Sequence, residues 1–596
     1  MKPPATLNQL FLGGVERFST KRAALRYRAG GEWHDITHRE LESRVHHVGL
    51  GLRKLGVQPG DRVAIVSANR PEWAVADLAC LMIGCTDVAV YPTLLPHQMQ
   101  YILDDSASCA VFVEDRKQYD KILQIRDQLP HLEHIIGFDD LGPDAGAVAL
   151  ARLMQLGASV EVDYPSYHTD AMAVPEDALA TLVYTSGTTG EPKGVMLTHG
   201  NLTSNAVAAL ALLPVGPNDV CLSLLPLSHS FERTPGYYSM FHAGVTICYA
   251  SSWDAVASNM MEIRPTVMIA VPRFYEKLHA RVLENALSGG TIKKRLFHWA
   301  RRIGEEWADL TLAKQSIPAR LALQYRVAHR LIFSKLQKRT GGRLRYFVSG
   351  GAPLMPETAK FLFAAGLPVI EGYGLTETSP VISVNPLESP RLGTVGVALP
   401  EVEVRIAGDG EILARGPNVM RGYYNRPDET AKAIDEEGWF HTGDIGELDE
   451  DGYLRVTDRK KDIIVTAGGK NIAPQPIENR VKASRFVSNA VMIGDKRKFP
   501  MILVVPDADA LRKWARERQL TAGSPSDLLK LPDVSAKVER EVMLTLRDLA
   551  GYQMPKKVLL LEDDFTIENG MLTPSLKAKR HVIEERYKDR IDACYT

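Results

Sequence analysis

Along the first third of the chain, short apolar runs alternate with longer segments whose apolar positions recur at helical spacing. Asp61-Arg62-Val63-Ala64-Ile65-Val66, after the turn Gln58-Pro59-Gly60, predicts a strand. Pro71 then stands where a first helical turn tolerates it, and Glu72 to Ile83 carries helical periodicity. Asp87 to Tyr91 predicts a second strand, completing a βαβ unit. Further strands are expected at Cys109 to Val113, His134 to Ile136, Ala180 to Val183, Arg345 to Val348 and Pro368 to Ile370. This alternation predicts an α/β fold of layered parallel sheets.

Composition narrows the class without naming it. At 596 residues the chain exceeds one core, so two or more domains are expected. A formal net charge of −1 gives no general case for nucleic acid as a partner. The six cysteines lack metal-ligand or disulfide spacing, which suits reduced thiols and a cytoplasmic protein. The start, Met1 to Asn8, lacks the apolar core of a signal peptide, and Asp87 interrupts the apolar stretch Leu78 to Tyr91, so no bilayer span is expected. One segment departs from this balance. From Thr291 to Thr340, helical in pattern, twelve Lys and Arg face only Glu305, Glu306 and Asp309, with Leu296, Phe297, Trp299, Ile303 and Trp307 interleaved. It is either a solvated helical hairpin or a basic amphipathic surface resting on anionic lipid.

Candidate chemistry gathers at the ends of the predicted strands. After Ala180–Val183 comes Tyr184-Thr185-Ser186-Gly187-Thr188-Thr189-Gly190-Glu191-Pro192-Lys193-Gly194. Glycines let backbone N–H groups turn toward an anion, hydroxyls add donors and Lys193 adds a point charge, which suits phosphate. Pro192 before Lys193 separates it from the common P-loop. Leu222 to Glu232 carries a strand into a polar turn containing His229; Phe231, Tyr237 and Tyr238 either line a pocket or belong to the core. Arg345–Val348 enters Ser349-Gly350-Gly351-Ala352, and Pro368–Ile370 enters Glu371-Gly372-Tyr373-Gly374-Leu375-Thr376-Glu377. Two glycine turns at strand ends form the kind of crevice that binds nucleotides, where Tyr373 can stack on a base, Thr376 can donate to phosphate and Glu377 offers a hard oxygen to Mg²⁺. Asp444 precedes the hairpin Glu447–Leu454, whose Asp451-Gly452 is a turn signal. Asp458-Arg459-Lys460-Lys461-Asp462 is dense in charge and lacks apolar anchors, marking a boundary between a large N-terminal and a small C-terminal domain. A glycine-rich loop, Ala467-Gly468-Gly469-Lys470, follows, and Lys577 and Lys579 sit near the end.

Seven of these motifs, in order from Tyr184 to Arg580, resemble those of the adenylate-forming (AMP-binding) superfamily, and the set is similar to long-chain fatty-acid–CoA ligases over essentially the whole chain. The resemblance implies a large N-terminal domain of layered α/β subdomains plus a small β-barrel over residues 1–457. It also implies a hinge at 458–463 and a small mobile α+β domain over 464–596. It implies ATP or AMP contacts from Thr185, Ser186, Gly187, Thr188, Thr189, Gly190, Lys193, Gly350, Gly351, Ala352, Glu371, Gly372, Tyr373, Gly374, Thr376, Asp444, Arg459 and Lys461. His229, Thr376, Glu377 and Lys577 are its catalytic residues, Thr185 and Glu377 its Mg²⁺ contacts, and Gly468, Gly469 and Lys470 its CoA-side loop. Many members carry Gly before the catalytic Lys; Leu576 stands there here, which leaves Lys577 and Lys579 open as the adenylation lysine. The implied reaction consumes a fatty acid, ATP and CoA. Three alternatives are a carrier-protein phosphopantetheine as acceptor, a shorter or aromatic acid as substrate, and a non-catalytic lipid-binding relative. Oligomeric state, including a homodimer, stays undetermined by sequence.

Overall fold

The structure, a computed structural model, describes residues 3–142, 146–185, 191–467, 470–520, 525–573 and 577–595. The βαβ expectation holds closely: strand Arg62–Val66, helix Pro71–Met82 and strand Thr86–Val90. The helix buries every residue except Glu72, and Thr86–Val90 is buried throughout, as a strand covered on both faces should be. An eight-stranded sheet runs Gly422–Tyr423, Lys193–Thr198, Leu179–Thr185, Thr86–Val90, Arg62–Val66, Ala110–Val113, His134–Gly137, Val148–Ala149. Its neighbours are parallel from Leu179–Thr185 to Val148–Ala149, and antiparallel where Lys193–Thr198 doubles back on Leu179–Thr185.

A nine-stranded sheet follows the order Val397–Ala398, Val381–Val384, Val369–Gly374, Tyr346–Ser349, Val267–Ala270, Val220–Ser223, Thr246–Tyr249, Leu25–Ala29, Glu32–Ile36. The six strands from Val369–Gly374 to Leu25–Ala29 are mutually parallel. Their shared direction places three candidate turns, at His229, Gly350 and Thr376, after the carboxyl ends of strands, where open α/β sheets bind ligands. A further four-stranded sheet is ordered Glu403–Ile406, Glu411–Arg415, Phe440–Leu448, Leu454–Arg459.

The chain divides into two compact units: 1–405, 413–442 and 448–455 make one, and 406–412, 443–447 and 456–596 the other. In the second unit the strands Val487–Ile493, Met501–Pro506 and Val558–Leu560 form a sheet, against which Ile477, Val481, Leu511, Val534 and Val538 from three helices bury. Within the first unit, helices Thr291–Leu312 and Ala319–Ala328 form the basic segment, fastened by Trp307 stacking on Tyr325 at 4.1 Å between ring centroids. Among the described residues, no helix is long and apolar enough to cross a membrane.

Candidate functional site

In the first unit several predicted residues meet. Ser230 Oγ lies 3.2 Å from Thr376 Oγ1, joining the His229 turn to the strand end that carries Thr376 and Glu377. The backbone N–H of Phe231 donates to His229 Nδ1 at 3.1 Å. A nitrogen accepting that bond carries no proton, so Nε2 is the donor of the neutral ring. Phe231 in turn packs so closely on Gly350 that a Cβ there would sit 2.8 Å from its ring, so a side chain at 350 would have to displace that ring. At Gly374 a Cβ would lie 1.7 Å from the carbonyl oxygen of Pro380, so the chain itself crowds this glycine. Gly351 and Ala352 are exposed, while Gly372 and Tyr373 are half-buried. Glu371 is 7% exposed; it accepts from the Leu354 N–H at 3.3 Å through one oxygen, and burial pushes its carboxyl up to about 7.

The phosphate-loop candidates flank a hairpin in which Thr185 pairs with Lys193. Ser186, Gly187, Thr188, Thr189 and Gly190 lie outside the described residues. Lys193 Nζ forms an ion pair with Glu429 at 2.5 Å and stands 4.9 Å over the ring of Tyr423. Tyr423 Oη donates to Glu377 Oε1 at 3.0 Å. Among the described residues, no three His, Cys, Asp or Glu cluster as a metal cage. A single carboxylate such as Glu377 still fits Mg²⁺, which takes one or two protein carboxylates and completes its shell with phosphate oxygens and water.

In the second unit Arg459 Nε stands 3.3 Å from Asp444 Oδ1, and Asp444 is 5% exposed. The charge-dense stretch is held by structure rather than by solvent alone. Asp458 and Arg459 end a strand, and Lys460 Nζ reaches Asp409 at 2.6 Å and Glu411 at 2.9 Å. Burial, with Asp462 and Glu478 nearby, pushes Asp458 up to about 7. Lys461 is exposed. Gly468 and Gly469 lie outside the described residues; Lys470 is exposed, and its carbonyl accepts from the Thr466 N–H at 3.1 Å. Lys577 is exposed, with its N–H donating to Thr573 Oγ1 at 3.0 Å.

Tyr237 and Tyr238 are core residues, each 1% exposed. They belong to the π-helix Glu232–Tyr238, which follows the His229 turn directly. Here lies an ionic cluster that sequence reasoning missed. Arg233 Nη2 donates to both Asp77 and Asp87, Nη1 to Thr181 Oγ1 at 2.8 Å, and Nε to Tyr238 Oη at 2.9 Å. The Thr181 hydroxyl donates to Asp87 at 2.9 Å, and that of Tyr238 donates to Asp77 at 3.0 Å. The cluster ties the π-helix to the strand that ends in Thr185. Glu232 beside it is fully buried, and burial pushes its carboxyl up to about 8.

A family model described as "AMP-binding enzyme" matches residues 14–424, and its C-terminal-domain counterpart matches 461–526. The chain belongs to the AMP-binding enzyme family. A long-chain-fatty-acid–CoA ligase of Mycobacterium bovis, FadD15, is 37% identical over 569 residues, covering 95% of this chain and 93% of its own. A long-chain-fatty-acid–CoA ligase of Xenopus laevis, ACSBG2, is 34% identical and covers 100% of this chain and 84% of its own. Among solved structures, ATP-bound MatB from Rhodopseudomonas palustris superposes with a TM-score of 0.69 at 27% identity, covering 98% of this chain and 99% of that one.

Two structural features of this AMP-binding enzyme lie outside the motifs read from the sequence. Tyr423 lies 46 positions from Glu377 and shows only as part of Arg421-Gly422-Tyr423-Tyr424-Asn425, a turn signal without evident chemistry. The buried ionic cluster did leave a signal, a single carboxylate inside each of two apolar runs, at Asp77 and Asp87.

Proposed function

We propose that this AMP-binding enzyme activates a long-chain fatty acid with ATP as an acyl-adenylate and transfers the acyl group to CoA, giving acyl-CoA, AMP and pyrophosphate. The observation that carries this reading is the full-length match to relatives named long-chain-fatty-acid–CoA ligases, which leaves none of the motif-bearing segments outside the alignment.

The fatty carboxylate attacks the α-phosphorus, the bond to the β-phosphate oxygen breaks and pyrophosphate leaves. Two anions must meet, so the protein's task is orientation and charge neutralisation. His229, through Nε2–H, and Thr376, steadied by Ser230, would donate to the acyl carboxylate and the α-phosphate. Lys193 would reach the departing phosphates. Glu377, with Thr185 as a second oxygen donor, would hold Mg²⁺, which when bound offsets phosphate charge. Asp444, beside Arg459, has the two acceptor oxygens that a ribose diol requires. Lys577 would neutralise charge at the reacting centre. In the second half-reaction the CoA thiol attacks the acyl carbonyl and AMP leaves, with Lys470 and its neighbouring glycines on the CoA side. We place the pivot between the two half-reactions at 458–463, separating domains 1–457 and 464–596. The test is a panel of acids from short to very long, scored for AMP formation that requires both ATP and CoA. Long-chain acids should lead, and activity confined to aromatic or short acids would overturn the substrate assignment.

We further assign the basic segment to peripheral contact with an anionic bilayer at the cytoplasmic face. Leu323, Val327 and Leu331 recur every fourth residue and are 63%, 43% and 41% exposed, a stripe of unburied apolar side chains. Exposed Arg320, Arg326, Arg330 and Lys335 surround it. Water-facing apolar groups among cations suit a headgroup surface. The enzyme should cosediment with phosphatidylglycerol-containing vesicles at low salt and release at high salt. Absence of binding at both salt concentrations would end this assignment.

A further inference from the structure

Tyr423 belongs to no motif that the reaction is assigned above, yet it touches both of that reaction's charged groups on this side of the site. Its hydroxyl donates to Glu377 Oε1 at 3.0 Å, and its ring lies beneath Lys193 Nζ at 4.9 Å. The backbone fixes this placement. Tyr423 pairs with Val195, two residues after Lys193 on the hairpin strand, and the Tyr424 N–H donates to the Gly194 carbonyl at 2.8 Å. On the other side the Met420 N–H donates to the Glu377 carbonyl at 2.8 Å, so residues 420–424 bridge the phosphate-loop strand and the Thr376–Glu377 turn. The Tyr423 N–H is held by Thr430 Oγ1 at 2.9 Å.

We propose that Tyr423 is a positioning residue that fixes the carboxylate plane of Glu377, so that one oxygen is committed to the phenol and the other is presented to the metal–nucleotide complex. The inference rests on Glu377 being the metal-binding carboxylate. A carboxylate on an unconstrained side chain samples several rotamers, and ordering it on binding costs entropy. A hydrogen bond from a buried, rigid phenol spends that cost in advance, as partners behind metal ligands do. Lys193 over the same ring gives the phenylalanine variant a clean interpretation, because Phe keeps the surface beneath the ammonium and removes only the hydroxyl.

The experiment uses full-length enzyme without fatty acid, so no turnover occurs, and Mn²⁺–ATP as the probe, followed by water-proton relaxation enhancement. Metal-free ATP binding in EDTA is measured beside it. Tyr423→Phe should weaken Mn²⁺–ATP by about tenfold, the lower end of the loss seen when a partner behind a metal ligand is removed, and leave metal-free ATP unchanged. Glu377→Gln should weaken Mn²⁺–ATP at least as much, and the double variant should be no weaker than Glu377→Gln alone, since both remove one coupled unit. If Glu377→Gln weakens Mn²⁺–ATP and Tyr423→Phe does not, the positioning role falls while the assignment of Glu377 stands. If Glu377→Gln has no effect, both fall. Equal weakening of ATP with and without metal in Tyr423→Phe, or additive losses in the double variant, also overturns the proposal.

Discussion

Lys577→Ala slows acyl-adenylate formation by about 10²–10³-fold, the expected loss for one preorganised electrostatic donor at a centre where negative charge meets negative charge. Conversion of supplied acyl-adenylate and CoA to acyl-CoA stays near the parent rate, because that step needs no cation at the α-phosphate. Lys577 and Lys579 differ in exposure. Lys577 is exposed, and its carbonyl accepts from the Thr573 N–H at 2.8 Å. Arg580, three positions on, donates to Glu478 Oε1 at 2.7 Å. Lys579, by contrast, is half-buried and stands at the N-cap of helix Arg580–Arg586. Lys579→Ala therefore retains adenylation within a few-fold. Rapid-quench measurement of each half-reaction separately checks both statements. Equal losses in the two half-reactions of Lys577→Ala, or the large loss appearing in Lys579→Ala, contradicts the assignment.

Arg233→Met destabilises the large unit by about 3–5 kcal/mol, the usual cost of removing one member of a buried ionic group. The side chains of Arg233, Asp77 and Asp87 are 1%, 0% and 0% exposed. Burial pushes the Asp77 carboxyl up, opposed chiefly by the Arg233 guanidinium, while the two carboxylates hold the guanidinium strongly protonated. Without the guanidinium, two carboxyl groups face each other in a dry core and must take up protons or draw in water. Methionine restores the volume but none of the four donated hydrogen bonds. Replacing all three together, Arg233→Met with Asp77→Leu and Asp87→Leu, should recover most of the loss, since no uncompensated charge then remains. Urea unfolding followed by near-ultraviolet circular dichroism reads both variants. A loss below about 1 kcal/mol in Arg233→Met would place the cluster among marginal surface-type pairs.

The elements that sequence predicts well are those whose signal is local. Strands such as Thr86–Val90 and Ala110–Val113 are buried on every residue, so their apolar runs are continuous and their limits agree within a residue or so of expectation. The turns at His229, Gly350 and Thr376 were legible because glycine, hydroxyl and ionisable residues crowd the ends of those runs. What sequence could not show depends on contacts between distant segments. Asp87 in isolation only breaks an apolar stretch, whereas in the fold it meets Arg233, 146 positions away. Tyr237 and Tyr238 could have lined a pocket or the core until burial assigned them to the core. The charged run Asp458–Asp462 suggests a solvated linker, yet Asp458 is 3% exposed near the end of a strand, and Lys460 is held by Asp409 and Glu411 of an earlier segment.

In this reaction a carboxylate attacks ATP and forms an adenylate before any thiol is involved. Exchange of labelled pyrophosphate into ATP, measured with Mg²⁺ and a long-chain fatty acid and without CoA, tests it directly. The expected result is exchange that depends on the acid and falls by the same factor as adenylation in Lys577→Ala. Absence of exchange with every acid tried, in enzyme that still binds ATP, would contradict it.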